Sequence, residues 1–527
     1  MSASFRPSLT RRRLLAAAGL AGPAGLLSGC SGSRSATTGP SGKAALPERL
    51  SKRQDVIIAL DGSLMEAPFD PIEGWGHRGV NPFHSTLMVA NEKNEIVNDL
   101  AVGHTISDDR LTWTFTLRDK VTFHNGSPMT AQAVKASLEY AIATNVRAQA
   151  QLPIASMTAE GQTLTIVTKT PVAALPSILS DPMTAIQAIG DGIKPATAPQ
   201  GTGPFKVASF TPKQKLELDA NENYWGGKPK LTHVTWRSYG DTQAMGLALQ
   251  AGEIQLAIQP ESSGLAVFSD TSRFTTWQVT STRGDVVILN TKDLRARQAI
   301  NYALDRNGYV SVMNDMGKST YALFPDNVVF GGSTGLQLPV REKNLDKAKA
   351  LFQEMGYTES GGKLVKDGQQ LSLRLLTYPR RPQLGQMAQL LQSDLAKIGV
   401  DVKITELSST TERMKSGEYE IGMYSFAMAP TGDPQYFFDT LLRTGGESNF
   451  ARYSSPELDA GLKDLASTYD AAQRLEKARG LQQIALNDTV VVPFGHAQWW
   501  AVSNAKVKGL HMVPTEYHLL THETHVE

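Results

Sequence analysis

The residues of this chain best suited to chemistry with a small charged molecule are arginines at a turn. Tyr378-Pro-Arg-Arg-Pro382 falls between a strand-like run ending at Thr377 and a helix-like run beginning near Gln386. A guanidinium presented there offers two parallel N–H donors in a planar fork, the geometry a carboxylate accepts. Arg380 and Arg381, with Tyr378 beside them, are therefore candidates to hold a carboxylate, or else to charge the surface near a helix start. In Met428-Ala-Pro-Thr-Gly-Asp-Pro434, after a strand expected over 419–426, Asp433 is able to meet a cationic group, although Asp before Pro commonly fixes a turn. Gly74-Trp-Gly-His-Arg-Gly79 brings backbone close to whatever approaches it. Trp75 there can wall a pocket or pack beneath its own loop, and His77 is a further candidate contact.

Other chemistry is poorly provided for. The sequence holds no Gly-x-Ser-x-Gly elbow, no His-Glu-x-x-His and no Walker loop, and its one cysteine is Cys30. An enzyme is not expected, nor a cofactor. The tail His518-Leu-Leu-Thr-His522-Glu-Thr-His525 would set three imidazoles on one face of a helix, but its Thr-rich sequence favours a strand and a frayed end, so no metal site is expected. Lys+Arg 52 against Asp+Glu 51 gives no basic excess for nucleic acid.

Cys30 has a different reading. Thr10-Arg11-Arg12-Arg13-Leu14-Leu15 opens a short apolar run that closes at Leu27-Ser28-Gly29-Cys30. This is the pattern of a twin-arginine export signal over 1–29, ending where a bacterial lipoprotein is lipidated and cleaved. Cys30 would then anchor the mature chain outside the cell by lipid, with 30–47, rich in Ser, Gly and Thr, as a flexible tether. No run of eighteen apolar residues offers a membrane span instead.

The elements that must position the candidates alternate between two periodicities, an α/β pattern. Leu111–Arg118 alternates apolar and polar residues as a half-buried strand, with Trp113 and Phe115 on one face. His124-Asn125-Gly126 follows as a tight turn, and Thr130 is placed to cap a helix carrying Val134 and Leu138. Strands are expected at 285–290, 371–377 and 400–405, and amphipathic helices at 294–304, 345–355 and 386–397. The remaining length suits two or three domains.

Several blocks, in order along the chain, resemble the extracytoplasmic solute-binding proteins of ABC importers, in the branch that carries peptides, dipeptides and nickel complexes. They are Ser107–Arg118, Val121–Gly126, Gly201-Thr-Gly-Pro-Phe205, Asn221–Gly226, Arg297–Ala303 with Asp305-Arg306, and Gly432-Asp-Pro434. The resemblance implies a periplasmic-binding-protein-like two-lobed clamp of type II with an additional inserted domain. On that pattern lobe I takes 48–85, 200–283 and 500–527, the insertion 86–199, and lobe II 284–499. It also implies a ligand enclosed between the lobes, a short peptide or a metal-chelate, with Arg381 standing where dipeptide-binding members present an arginine to the ligand's carboxylate, and delivery to the permease and ATPase subunits of an importer.

The chain departs from its relatives in that resemblance. Dipeptide binders carry an acid where this sequence has Pro430, and nickel binders carry aromatic residues where it has Met428 and Gly432. Nickel binders also have an arginine before Pro182, where Asp181 stands. Met428 is thus a candidate contact of altered type, and Arg443, in the loop after Asp433-Pro434, a candidate second anion-binding group.

Overall fold

The computed structural model describes residues 54–61, 70–73 and 82–527. Cys30, the export signal and the tether lie outside the described residues, as do Trp75 and His77. Every described residue belongs to one compact unit.

Fourteen strands suffice to describe the frame. In chain order they are β1 (Asp55–Asp61), β2 (Ala101–Ile106), β3 (Thr112–Leu117), β4 (Ile154–Glu160), β5 (Thr163–Thr168), β6 (Phe205–Thr211) and β7 (Lys215–Ala220). Then follow β8 (His233–Tyr239), β9 (Leu256–Ile258), β10 (Phe274–Leu289), β11 (Ser372–Thr377), β12 (Asp401–Glu406), β13 (Ile421–Ala427) and β14 (Val491–Asn504). One mixed sheet runs β12-β11-β13-β10-β14-β9-β1-β8-β7-β6, with Gly317–Ser319 added on β14.

Two long strands carry this sheet from one end to the other. β14 is buried along all but its last residue, on both faces, and carries His496, Gln498 and Ser503 buried among its apolar residues. β10 pairs with it antiparallel, and the register breaks between Thr280 and Gly284 and again between Asp285 and Val286. Pro493, which has no N–H for a ladder, sits at the second break. On either side of the first break the cores differ. Leu216, Trp236 and Trp499 pack in one, while Val287, Leu375 and Phe494 pack in another.

Ile72 and residues 87–188 build a core around the antiparallel sheet β2-β3-β5-β4. Trp113 and Phe115 lie on its buried face, rings stacked 6.2 Å apart, as the alternation of β3 predicts. α1 (Ala131–Thr144) packs against this sheet, and Thr130 caps it by accepting from the Ala133 N–H. Gly126 takes φ 84° in the tight turn before it. Gly201 and Gly203 allow close backbone approach: a Cβ on Gly201 would lie 2.0 Å from the Phe83 carbonyl oxygen, and one on Gly203 2.6 Å from the Phe83 carbonyl carbon.

Some expectations shift. The helix expected from Gln386 begins at Pro382, because proline suits a first turn that needs no N–H there. The strand expected over 419–426 runs Ile421–Ala427, and Tyr419 instead donates its hydroxyl to the Phe450 carbonyl at 2.9 Å. The C-terminal segment is neither helical nor frayed: His525–Val526 pairs with Val507–Lys508, and the Gln54 side chain holds Val526 by both its N–H and its carbonyl. Among the described residues no helix is long and apolar enough to cross a membrane.

Candidate functional site

The site is best built from the first break in β10. Ser281, Thr282 and Arg283 are freed from the ladder with β14 there, and the C-terminal segment takes up their groups. The Thr282 N–H donates to the Pro514 carbonyl at 2.9 Å. The Ser281 hydroxyl donates to the Glu516 carboxylate at 2.6 Å, and Arg283 Nε stands 3.7 Å from the same oxygen. Glu516 is buried and holds φ 67°, a left-handed backbone that its surroundings must enforce.

Arg381 joins this group from the loop between β11 and α2 (Pro382–Lys397). Its side chain is partly buried and has no hydrogen bond or ion pair with a described residue. Burial pulls its guanidinium pKa down, and the Glu516 carboxylate opposes that shift. Tyr378, at the C-terminal end of β11, accepts the Ser425 N–H through its hydroxyl oxygen at 3.2 Å, and its ring meets Tyr424 edge-on at 6.0 Å. Burial raises its phenol well above the ordinary range. Asp285 lies close by, fully buried, accepting from Tyr309 at 3.0 Å and Gln383 at 3.1 Å; burial raises its pKa despite those bonds.

Two further stretches reach the same place. Arg147, from the 87–188 stretch, pairs with Asp181 at 2.7 Å and lies 5.8 Å from the centre of the Tyr436 ring. Burial works against the Arg147 charge, but Asp181, Tyr517 and Tyr436 together outweigh it and the pKa rises. The buried phenol of Tyr517 interacts electrostatically with Asp181, Arg147, Tyr436 and Arg283, which links the C-terminal segment to β10 and to both of these stretches. Tyr436 in turn stacks on Phe426 at 5.7 Å. The result is an aromatic-walled cluster of guanidiniums and carboxylates at the carboxyl ends of β11 and β13, where open α/β sheets place ligands.

The other candidates are taken up in packing or in ion pairs. Met428 is fully buried, its Sδ and methyl filling the space beside Gly284, where a Cβ would come within 2.3 Å. That is a packing position and not a surface for a ligand. Asp433 accepts two bonds of 2.9 Å from Arg474, so its carboxylate is committed to the fold. Arg443 is more than half exposed and pairs with Asp439 at 3.3 Å. Arg297 and Arg306, within the recurring blocks, donate to backbone carbonyls and are likewise structural. Arg283, Glu516 and the Arg147–Asp181 pair were not among the sequence-derived candidates. The available signal was a charge at 283 and another at 285 opening the buried run Val286–Leu289.

A sheet that continues through two long strands between separate cores, with a charged aromatic cluster at their irregular crossing, defines a binding protein of the two-lobed type. Comparison with known proteins agrees, and the chain belongs to the bacterial extracellular solute-binding proteins, family 5, whose model matches residues 95–449. These are the substrate-binding proteins of ABC importers and not enzymes. The chain is 26% identical over 450 residues to the nickel-binding protein NikA of Staphylococcus aureus, covering 84% of this chain and 89% of that one. It is 26% identical over 500 residues to the glutathione-binding protein GsiB of Salmonella typhimurium, covering 89% and 94%. Among solved structures, NikA from Staphylococcus aureus in complex with Ni(L-His)2 superposes with a TM-score of 0.76 at 25% identity, covering 90% of this chain and all of that one. The nickel ABC transporter from Bacillus halodurans gives 0.76 at 28%, with the same coverage.

Proposed function

We propose that this chain is a lipid-anchored substrate-binding protein that captures a short peptide or peptide-like zwitterion between two lobes and hands it to the permease of its importer. The observation that carries this reading is Arg381, a guanidinium drawn out of water with no hydrogen bond or ion pair among the described residues. An unpaired, partly buried charge is costly, and a ligand carboxylate relieves that cost through two parallel hydrogen bonds. Lobe I comprises 48–85, 200–283 and 500–527, lobe II 284–499, and the inserted domain 86–199. The hinge lies at the break in β10. Closure follows because only the closed form makes both sets of ligand contacts at once. Cys30 carries the lipid, and the twin-arginine segment directs export.

A second reading is favoured by the relatives named for nickel. In it the ligand is a metal held by an organic chelator, and Arg381 grips the chelator's carboxylate. The Arg147–Asp181 pair bears on this choice, because Asp181 already neutralises a guanidinium that would otherwise serve a multiply charged chelate.

Native mass spectrometry of the protein truncated at Cys30 and expressed in rich medium, with metal analysis of the same sample, tests both. Peptide masses released on denaturation, without stoichiometric metal, support the first reading. Stoichiometric nickel with a co-released small acid overturns it in favour of the second.

A further inference from the structure

We infer that the chain carries a second ligand site, a cavity for a small organic cation, where residues 82–99 face the C-terminal segment. A cavity of about 500 Å3 opens there, within the range of small-molecule sites. Asp99, His84 and Tyr224 line one side, and His518, Leu520 and His522 another. None of Arg283, Arg381 and Glu516 borders it, and among the described residues that line it there is no lysine or arginine.

The wall sets the Asp99 carboxyl among the hydroxyls of Ser85, Tyr224 and Thr521 and the imidazoles of His84 and His518. Asp99 accepts the Thr86 N–H at 3.0 Å through Oδ2, and Oδ1 accepts nothing from a described residue. Arg118 is committed elsewhere: its Nε donates to the Asp99 backbone carbonyl at 2.7 Å, and its guanidinium lies 4.2 Å from the centre of the Trp225 ring. Burial therefore pushes the Asp99 carboxyl up to about 7, against the opposing Thr86 bond and the Arg118 charge. Burial pulls His84 down to about 3 and His518 to about 4, so both imidazoles are neutral at pH 7 and each keeps a lone pair.

For His84 the tautomer is set from behind. Gln187 donates through Nε2 to Asp70 at 3.0 Å, which turns its Oε1 toward His84 Nε2 at 3.4 Å, so the Nε2 nitrogen carries the proton. His518 has no hydrogen bond with a described residue. At the mouth, Glu523 pairs with Lys230 at 2.5 Å and His511 meets Glu92 at 3.2 Å.

The ligand class follows from what these walls lack. A protonated amine supplies N–H donors to Asp99 and to the His518 imidazole, and a positive charge to a carboxyl that no ion pair holds among the described residues. The rings of Tyr224 and His522, 5.6 Å apart, offer it aromatic faces, and Leu520 suits a short hydrocarbon stem. A bare metal ion fits less well: among the described residues no three His, Cys, Asp or Glu side chains are placed to hold one.

Isothermal titration of the full-length chain with putrescine, agmatine and tetramethylammonium tests the site. Saturable binding of at least one probe is expected, weakened tenfold or more by Asp99→Asn and by Val89→Trp, which narrows the cavity without touching the carboxylate. Arg381→Ala should leave it unchanged, which separates this site from the proposed cleft. No saturation by any probe up to about 1 mM overturns the proposal. Binding that survives both cavity variants, or that is lost in Arg381→Ala, overturns it too. So does nickel(II) binding that is abolished by His518→Ala and His522→Ala but indifferent to Asp99→Asn, since the cavity would then be a metal site.

Discussion

Ser281 and Glu516, 235 positions apart in the chain, are joined by a hydrogen bond of 2.6 Å at the break in β10. The bond fastens the C-terminal segment to the strand through which the sheet continues, and it does so beside Arg283 and Arg381. The acceptor is a buried carboxylate, so the bond is charge-assisted and belongs to the stronger class.

Glu516→Gln and Ser281→Ala should each destabilise the protein by about 1 to 3 kcal/mol, the usual cost of leaving a buried polar partner unsatisfied. Glu516→Gln should cost more, because Arg283 at 3.7 Å also loses its counter-charge. Urea denaturation of both variants and of the double variant measures this. A double variant whose loss equals the sum of the singles would show that the two side chains are not coupled.

Arg381→Ala should weaken the ligand recovered by native mass spectrometry by about 2 to 5 kcal/mol, or about thirtyfold or more in Kd. Arg381→Lys should recover only part of it, since an ammonium cannot make the paired bonds of a guanidinium. Arg443→Ala serves as the control: exposed and paired with Asp439, it should change affinity by less than about twofold. Titration calorimetry on the three variants decides, and equal effects at 381 and 443 would defeat the assignment of Arg381.

Asp433→Asn breaks a two-bond pair with Arg474 in which both side chains are largely buried. Removing one partner of such a pair costs about 3 to 5 kcal/mol, because the other charge stays buried. The expected result is a lower thermal midpoint with ligand affinity of the folded protein unchanged. Intact stability with lost affinity would instead return Asp433 to the ligand.

What could be read from residue order was whatever depends on near neighbours. Thr130 announces a helix start, Trp113 and Phe115 announce a buried face, and Tyr378-Pro-Arg-Arg-Pro382 announces a strand-to-helix turn, because caps, alternation and turns are set over a few residues. The site depends on distant ones. Glu516 stands in Pro-Thr-Glu-Tyr-His, an ordinary polar stretch, and becomes a site residue only when the tail lies against β10. Asp433 fixes the turn its place before Pro434 suggests, accepting the Gln435 N–H, but its partner Arg474 is 41 positions away, and Arg147 finds Asp181 across 34. Met428 stands where nickel-binding relatives carry an aromatic residue, and only the fold shows that the missing side chain of Gly284 leaves a space that Met428 fills.

His496 gives the pH dependence a definite sign. It lies buried in β14 opposite the break, with Nδ1 3.3 Å from the Arg283 carbonyl, and burial pulls its pKa from 6.5 to about 4. As pH falls below 6.5 the unfolded chain takes up a proton that the folded chain refuses until about 4, so the folded state loses stability across that window. The loss attributable to one such group approaches about 1.4 kcal/mol per pH unit. His496→Gln removes this contribution, so its stability should fall less steeply between pH 6.5 and 4 than that of the parent. Urea midpoints of both proteins at four pH values in the window check it. Parallel curves would mean that His496 already binds its proton in the folded state, and that the crossing of the two long strands is wetter than its packing indicates.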